Sequence, residues 1–113
     1  MNEFDQTLVF DEQELEEGLK LMESVIGGRW NPLILFELEQ GARTYTDIKN
    51  NIDYISDTEL QRKLSALIDS KLVIKENAAE TRKSEYALTP YGADITHTLH
   101  HIMDISIKHR AMA

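Results

Sequence analysis

The stretch Gly27-Gly28-Arg29-Trp30-Asn31-Pro32 separates two segments of helical periodicity, and its reading decides how the chain is parsed. Two adjacent glycines relax the backbone where a helix must end, because glycine enters left-handed conformations without a Cβ clash. Asn31 is predicted to cap the next helix, with Pro32 at the first helical position, where a missing N–H costs nothing. Leu33-Ile34-Leu35-Phe36-Glu37-Leu38 then supplies apolar surface and Gly41 closes the segment, so a helix is predicted over about 32–40. Trp30 reads as a core residue that anchors the domain.

Upstream, Leu15, Leu19, Met22 and Ile26 recur on one helical face. Asp11 and Glu14 form a capping pair, so a first helix is predicted over 11–26. Residues 1–10 are expected to form a flexible acidic arm. Downstream, Thr44 caps a short helix with Asp47 three residues on, and Ile48 and Ile52 face inward. Asn50-Asn51 and Asp53 favour a turn. Ser56-Asp57-Thr58-Glu59 is a capping box that opens a helix over 56–70, whose stripe is Leu60, Leu64, Leu67 and Ile68. Leu72-Val73-Ile74-Lys75 and Glu85-Tyr86-Ala87-Leu88 have strand character, and the polar connector 77–84 joins them into a hairpin over 72–88. Thr89-Pro90 repeats the cap-and-proline start and launches a last helix over 90–109. Its stripe is Tyr91, Ile95, Leu99 and Ile102, widened by Met103, Ile105 and Ile107.

Helix, helix, helix, helix, hairpin, helix is the winged helix-turn-helix plan: mainly α with a small β-hairpin (α+β), one domain over 11–113. At 113 residues a single domain buries roughly 65% of its unfolded surface. No apolar run is long enough to span a membrane, and the acidic start lacks the features of a signal peptide. The chain has no cysteine, which excludes disulfides, thiolate zinc sites and thiol redox sensing. A cytoplasmic protein is expected.

The formal net charge is −8, which at first argues against nucleic acid. Its distribution matters more. Residues 1–24 hold eight acids and one base, whereas residues 25–113 are almost balanced, with twelve acids and eleven bases. The acidity belongs to the N-terminal appendage, but the remaining module is neutral where a strong nucleic-acid binder is basic.

Placed at about 100° per residue, the 56–70 helix puts Thr58, Arg62 and Ser65 opposite its leucine stripe, with Gln61 on the flank. Such a face can bond base edges and phosphates in a major groove; an ordinary solvated surface carries the same residue types. Arg82 and Lys83, near the hairpin tip, suit a phosphate backbone or minor groove, although Glu76 and Glu80 lie close by. Thr44, Tyr45 and Thr46 at the start of the third helix, with Lys49 one turn on, complete the candidate DNA contacts.

The residues Gly27-Gly28-Arg29-Trp30, Leu35-Phe36-Glu37-Leu38-Glu39-Gln40-Gly41, Tyr45-Thr46-Asp47-Ile48, Ile55-Ser56, Leu60-Gln61-Arg62-Lys63-Leu64, Leu72-Val73 and Glu85-Tyr86-Ala87-Leu88-Thr89-Pro90-Tyr91-Gly92 resemble the HxlR family of bacterial transcriptional regulators. The resemblance runs from about 25 to 105. It implies a dimeric winged-helix protein that binds operator DNA, with repression as the expected role, and many such proteins adjust expression under chemical stress. The departures are informative. No cysteine precedes the Gly-Gly stretch. Thr44 stands where a base is usual, Asp57 and Glu59 occupy a turn where many relatives place a base, and Lys71 stands where a glycine would ease the helix exit.

The broad apolar stripe of the last helix, with that of the first, is expected to bury itself against a second copy through Leu15, Leu19, Met22, Leu99, Ile102 and Met103. The cleft between those helices and the module is where an unidentified small-molecule effector would bind. His97 and His101 are spaced for a metal, with Asp104 nearby, yet no accompanying glutamate or thiolate follows the known patterns. No metal or cofactor is therefore expected, and the histidines are read as polar residues flanking a dimer seam. No phosphate loop or nucleophile–base grouping marks an enzyme. The alternative to a DNA-binding regulator is a winged helix used for protein–protein interaction.

Overall fold

The computed structural model describes residues 9–25, 28–80 and 82–112. Five helices and a small antiparallel sheet follow in the order α1 (Glu12–Val25), α2 (Trp30–Glu39), β1 (Arg43–Thr44), α3 (Tyr45–Asn51), α4 (Asp57–Asp69), β2 (Val73–Asn77), β3 (Ser84–Leu88) and α5 (Pro90–Met112). The expected arm at 1–10 falls almost wholly outside the described residues, as do Ile26 and Gly27.

Start signals in the sequence become hydrogen bonds. The Asp11 carboxylate accepts from the Glu14 N–H at 2.7 Å and the Glu14 carboxylate accepts from the Asp11 N–H at 3.1 Å. Thr44 and Asp47 form the same reciprocal box at α3. At α4 only half of the expected box is present: Ser56 Oγ accepts from the Glu59 N–H at 3.1 Å, while the Glu59 carboxylate turns to Arg62 at 2.8 Å and Lys63 at 3.7 Å. At α5, Thr89 Oγ1 accepts from the Gly92 N–H at 2.9 Å.

One cap is corrected. Helix α2 begins at Trp30, its N-cap is Arg29 in a helical conformation, and Asn31 lies inside the first turn. The Asn31 amide is buried and donates to the Ser24 carbonyl. Burial against the end of α1 draws the side chain away from its own helix, so it fastens two helices rather than capping one. Pro32 still falls within the first turn, where N–H groups have no intrahelical acceptor. Trp30 is half-buried and packs against the core.

The sheet has three strands, in the order β1-β3-β2, not the two of the expected hairpin. β1 pairs Arg43 with Tyr86 and Thr44 with Glu85; β2 pairs Val73 with Leu88 through to Asn77 with Ser84. A two-residue strand offers no periodicity to read. Below the sheet, Ile34, Leu35, Ile48, Ile55, Leu60, Leu64 and Leu72 form the fully enclosed centre.

Two backbone positions shape the joint between α4 and α5. Lys71 leaves α4 with φ 66, a left-handed conformation in the place where a glycine was anticipated. Gly92 packs so tightly that a Cβ would lie 2.0 Å from the Leu72 carbonyl oxygen. Thr89 completes this joint, its N–H donating to the Leu72 carbonyl at 3.1 Å and its hydroxyl to the Lys71 carbonyl at 2.7 Å.

The molecule is long for its chain. Its radius of gyration is 16.4 Å, against about 13 Å for a compact domain of this length. Helix α5 adds to that length: it runs on to Met112 rather than ending near 109 and is exposed at every residue from His100 onward. On α1 only Leu21 and Val25 turn inward. They lie about 100° round the helix from Leu15, Leu19 and Met22, which face solvent.

Gly92→Ala should destabilise the protein by about 3 kcal/mol, the upper range of an overpacked site, because the contact is with main chain that cannot move aside. Gly18→Ala, with nothing within 4 Å of the new Cβ, should instead stabilise by about 0.8 kcal/mol through helix propensity. Urea unfolding of both variants checks the pair.

Candidate nucleic-acid interface

Helix α3, the turn 52–56 and α4 make the helix-turn-helix, and polar bonds fix its angle. The Tyr45 hydroxyl bridges to the first turn of α4, 2.9 Å from the Asp57 carboxylate and 3.3 Å from the Asp57 carbonyl. Partial burial first, and then the Asp57 carboxylate, raise the Tyr45 phenol above the ordinary value of 10.0. Lys49 reaches across the turn, its ammonium donating to the Ile55 carbonyl at 2.5 Å. Tyr54 at the turn's apex takes φ 69 and is 97% exposed.

On α4, Leu60, Leu64 and Leu67 are buried, whereas Thr58, Gln61, Arg62 and Ser65 all lie on the exposed side. This matches the face expected from the sequence. Arg62 is exposed and pairs with the half-buried Glu59; with one partner in solvent, such a pair contributes about 1 kcal/mol or less. Exchanging Glu59 for a phosphate would therefore cost Arg62 little. The two acids at the start of α4 are both engaged: Asp57 with Tyr45, Glu59 with Arg62 and Lys63.

The hairpin carries two further candidates, Arg82 and Lys83. Its loop 78–83 is closed by the Ala78 N–H donating to the Lys83 carbonyl at 2.9 Å and the Arg82 N–H donating to the Ala78 carbonyl at 2.9 Å. Arg82 has φ 58; both Arg82 and Lys83 are exposed. Between α4 and the sheet lies a cleft of about 490 Å³ walled by Gln61 and Ser65 on one side and Lys75, Ser84 and Tyr86 on the other. Lys75 sits opposite Tyr86 in register, its ammonium 5.7 Å from the ring centre. Sequence patterning alone does not reveal this wall, since the β2–β3 register that creates it appears only with the strand pairing.

Of the ten DNA-binding candidates, the six on α4 and the hairpin are exposed, as is Thr46. The other three are structurally engaged. Thr44 caps α3, Tyr45 ties α3 to α4 and Lys49 holds the turn.

The chain matches the HxlR-like helix-turn-helix family over residues 25–112. It belongs to that family. Its fold is similar to a protein assigned to the MarR-family transcriptional regulators from Porphyromonas gingivalis W83, at 26% identity and TM-score 0.70 over 88% of this chain and 95% of the other. It is similar to a protein classed as an HxlR-family transcription factor from Thermoplasma volcanium GSS1, at 30% identity and TM-score 0.67 over 79% and 82%. The reduced form of the transcriptional regulator YodB from B. subtilis aligns at 25% identity and TM-score 0.69 over 85% and 90%. Family and neighbours together place this HxlR-type winged helix among transcriptional regulators. No helix among the described residues is long and apolar enough to cross a membrane.

The six expected interface residues divide. Leu15, Leu19, Met22, Ile102 and Met103 are all at least 42% exposed. Leu99 differs: at 6% exposure it belongs to the core of its own chain, because the first half of α5 lies against α1 and α2. The expected effector cleft between the end helices and the module holds a wholly apolar cavity of about 120 Å³ beside Met22, Val25, Ile95 and Leu99. That is well below the roughly 300 Å³ at which small-molecule pockets begin.

Tyr45→Phe should lower stability by about 1 kcal/mol, the net worth of one hydrogen bond. Because the folded phenol titrates above its unfolded value, its contribution is whole below about pH 10 and falls as pH rises through the folded pKa. Urea midpoints measured across that alkaline range should fall more for the native chain than for Tyr45→Phe.

Proposed function

We propose that the protein binds operator DNA as a homodimer and represses transcription there, with α4 of each subunit in a major groove. The observation that carries this reading is that Thr58, Gln61, Arg62 and Ser65 on α4 and Arg82 and Lys83 on the hairpin all stand exposed, on two elements that wall one cleft through Gln61, Ser65 and Ser84. Base edges would meet the side chains of α4, and phosphates would meet Arg62 and the hairpin loop. Thr46, also exposed, would add a hydroxyl.

The dimer would form through α1 and α5. An apolar strip of Leu15, Leu19 and Met22 on α1 and of Ile102, Met103 and Ile107 on α5 is solvent-exposed in the single chain, and an elongated subunit with such a strip is stabilised by a self-complementary partner. Two-fold symmetry would set the two α4 helices about 34 Å apart, or a multiple of it. The near-neutral module predicts moderate affinity that weakens steeply with salt.

Fluorescence anisotropy with DNA from upstream of the protein's own gene tests the reading. Arg62→Ala and the double change Arg82→Ala/Lys83→Ala should each weaken binding about tenfold. Each should also lower the salt slope by about one for every phosphate that is no longer neutralised, with the dimer intact by sedimentation. Unchanged binding in both variants would remove this surface from the interface. Leu19→Asp should give monomers and abolish DNA binding together.

A further inference from the structure

Four residues of α5 take no part in the core or in the proposed DNA-binding surface. Asp94, His97, His101 and Asp104 fall within about 80° of arc on one face of the helix, turned away from the buried Leu99. On that face the Nε2 atoms of His97 and His101 are 3.2 Å apart, with ring centres 4.7 Å apart and ring planes at 86°. Both residues are exposed. In the metal-free chain one ring donates its N–H to the other's lone pair.

A cation can take the place of that shared proton. Two ring nitrogens at this separation, each about 2.0–2.1 Å from one ion, subtend about 100–105° at it, close to the tetrahedral angle of imidazole–zinc sites. Among the described residues no group of three or more ligands gathers, so the protein supplies two nitrogens and water completes the shell. Asp94 and Asp104, one turn to either side, add negative potential to the same face. Ligand type selects the ion: neutral imidazole suits Zn²⁺, Ni²⁺ and Cu²⁺ rather than Mg²⁺ or Ca²⁺.

We propose that His97 and His101 form a two-histidine site for a divalent transition-metal ion, one ion per chain, which staples successive turns of α5. The absence of a neighbouring glutamate or thiolate in the sequence argued for no metal; the side-chain geometry supplies what the spacing alone did not. The site lies where α5 leaves the core, since from His100 onward the helix is exposed, so bridging i and i+4 would hold turns that the chain itself packs little.

Calorimetric titration of the full chain with Zn²⁺ near neutral pH tests the proposal. One ion should bind per chain, at least tenfold more weakly in His97→Ala and in His101→Ala and equally well in His109→Ala. Zinc should also raise the melting temperature of the native chain and not that of His97→Ala. No binding, equal affinity in the native chain and both histidine variants, or one ion per two chains would overturn the assignment.

Discussion

Gly92 and the Leu72 main chain touch where three parts of the molecule meet. The end of α4, the root of the hairpin and the start of α5 come together there, with Thr89 bonded to the carbonyls of both Lys71 and Leu72. A side chain at position 92 would collide with the Leu72 carbonyl, so the approach depends on glycine. The strained exit of Lys71 at φ 66 belongs to the same joint, because α4 must turn sharply to deliver Leu72 beneath α5. Through this contact the direction of α5 is set relative to α4. A second subunit docked on α5 would inherit that angle, so the separation of two α4 helices becomes a consequence of packing inside each subunit.

Electrostatics on the α4 side follow a similar economy of partners. A near-neutral module with acids in the first turn of its polar helix looks unsuited to a polyanion. Yet Asp57 is held by the Tyr45 hydroxyl and Glu59 by Arg62 and Lys63. Acids at a helix N-terminus also stabilise the helix through its dipole. Arg62 itself is exposed although Glu59 is half-buried, which leaves the guanidinium available for exchange at small cost. Lys49 and Tyr45, by contrast, are committed to the geometry of the turn.

Much of the fold was legible in the residues because the signals were local. Capping residues Asp11, Thr44, Ser56 and Thr89 each act within one turn, and the leucine stripe of α4 fixes its inner face without reference to the rest of the fold. That stripe also placed the polar side of the candidate interface. What could not be read was long-range. Asn31 has the chemistry of a cap, but the carbonyl of Ser24, brought close only in the folded chain, claims its amide. Strand β1 is two residues long and exists only because β3 lies beside it. Leu99 shares its stripe with Ile102 and Met103, and only the path of α5 over the core separates the buried residue from the exposed ones. On α1 the outward stripe was recognised and the inward pair, Leu21 and Val25, was not, since both are apolar and the sequence does not say which meets the core.

On the proposed reading, rigid subunits joined through α1 and α5 would present two copies of α4 to one face of the double helix. Hydroxyl-radical footprinting of the protein on its operator tests it most directly. Two protected segments related by a dyad are expected, with centres about 10.5 base pairs, or a multiple of that, apart. A single protected segment at saturating protein would contradict it.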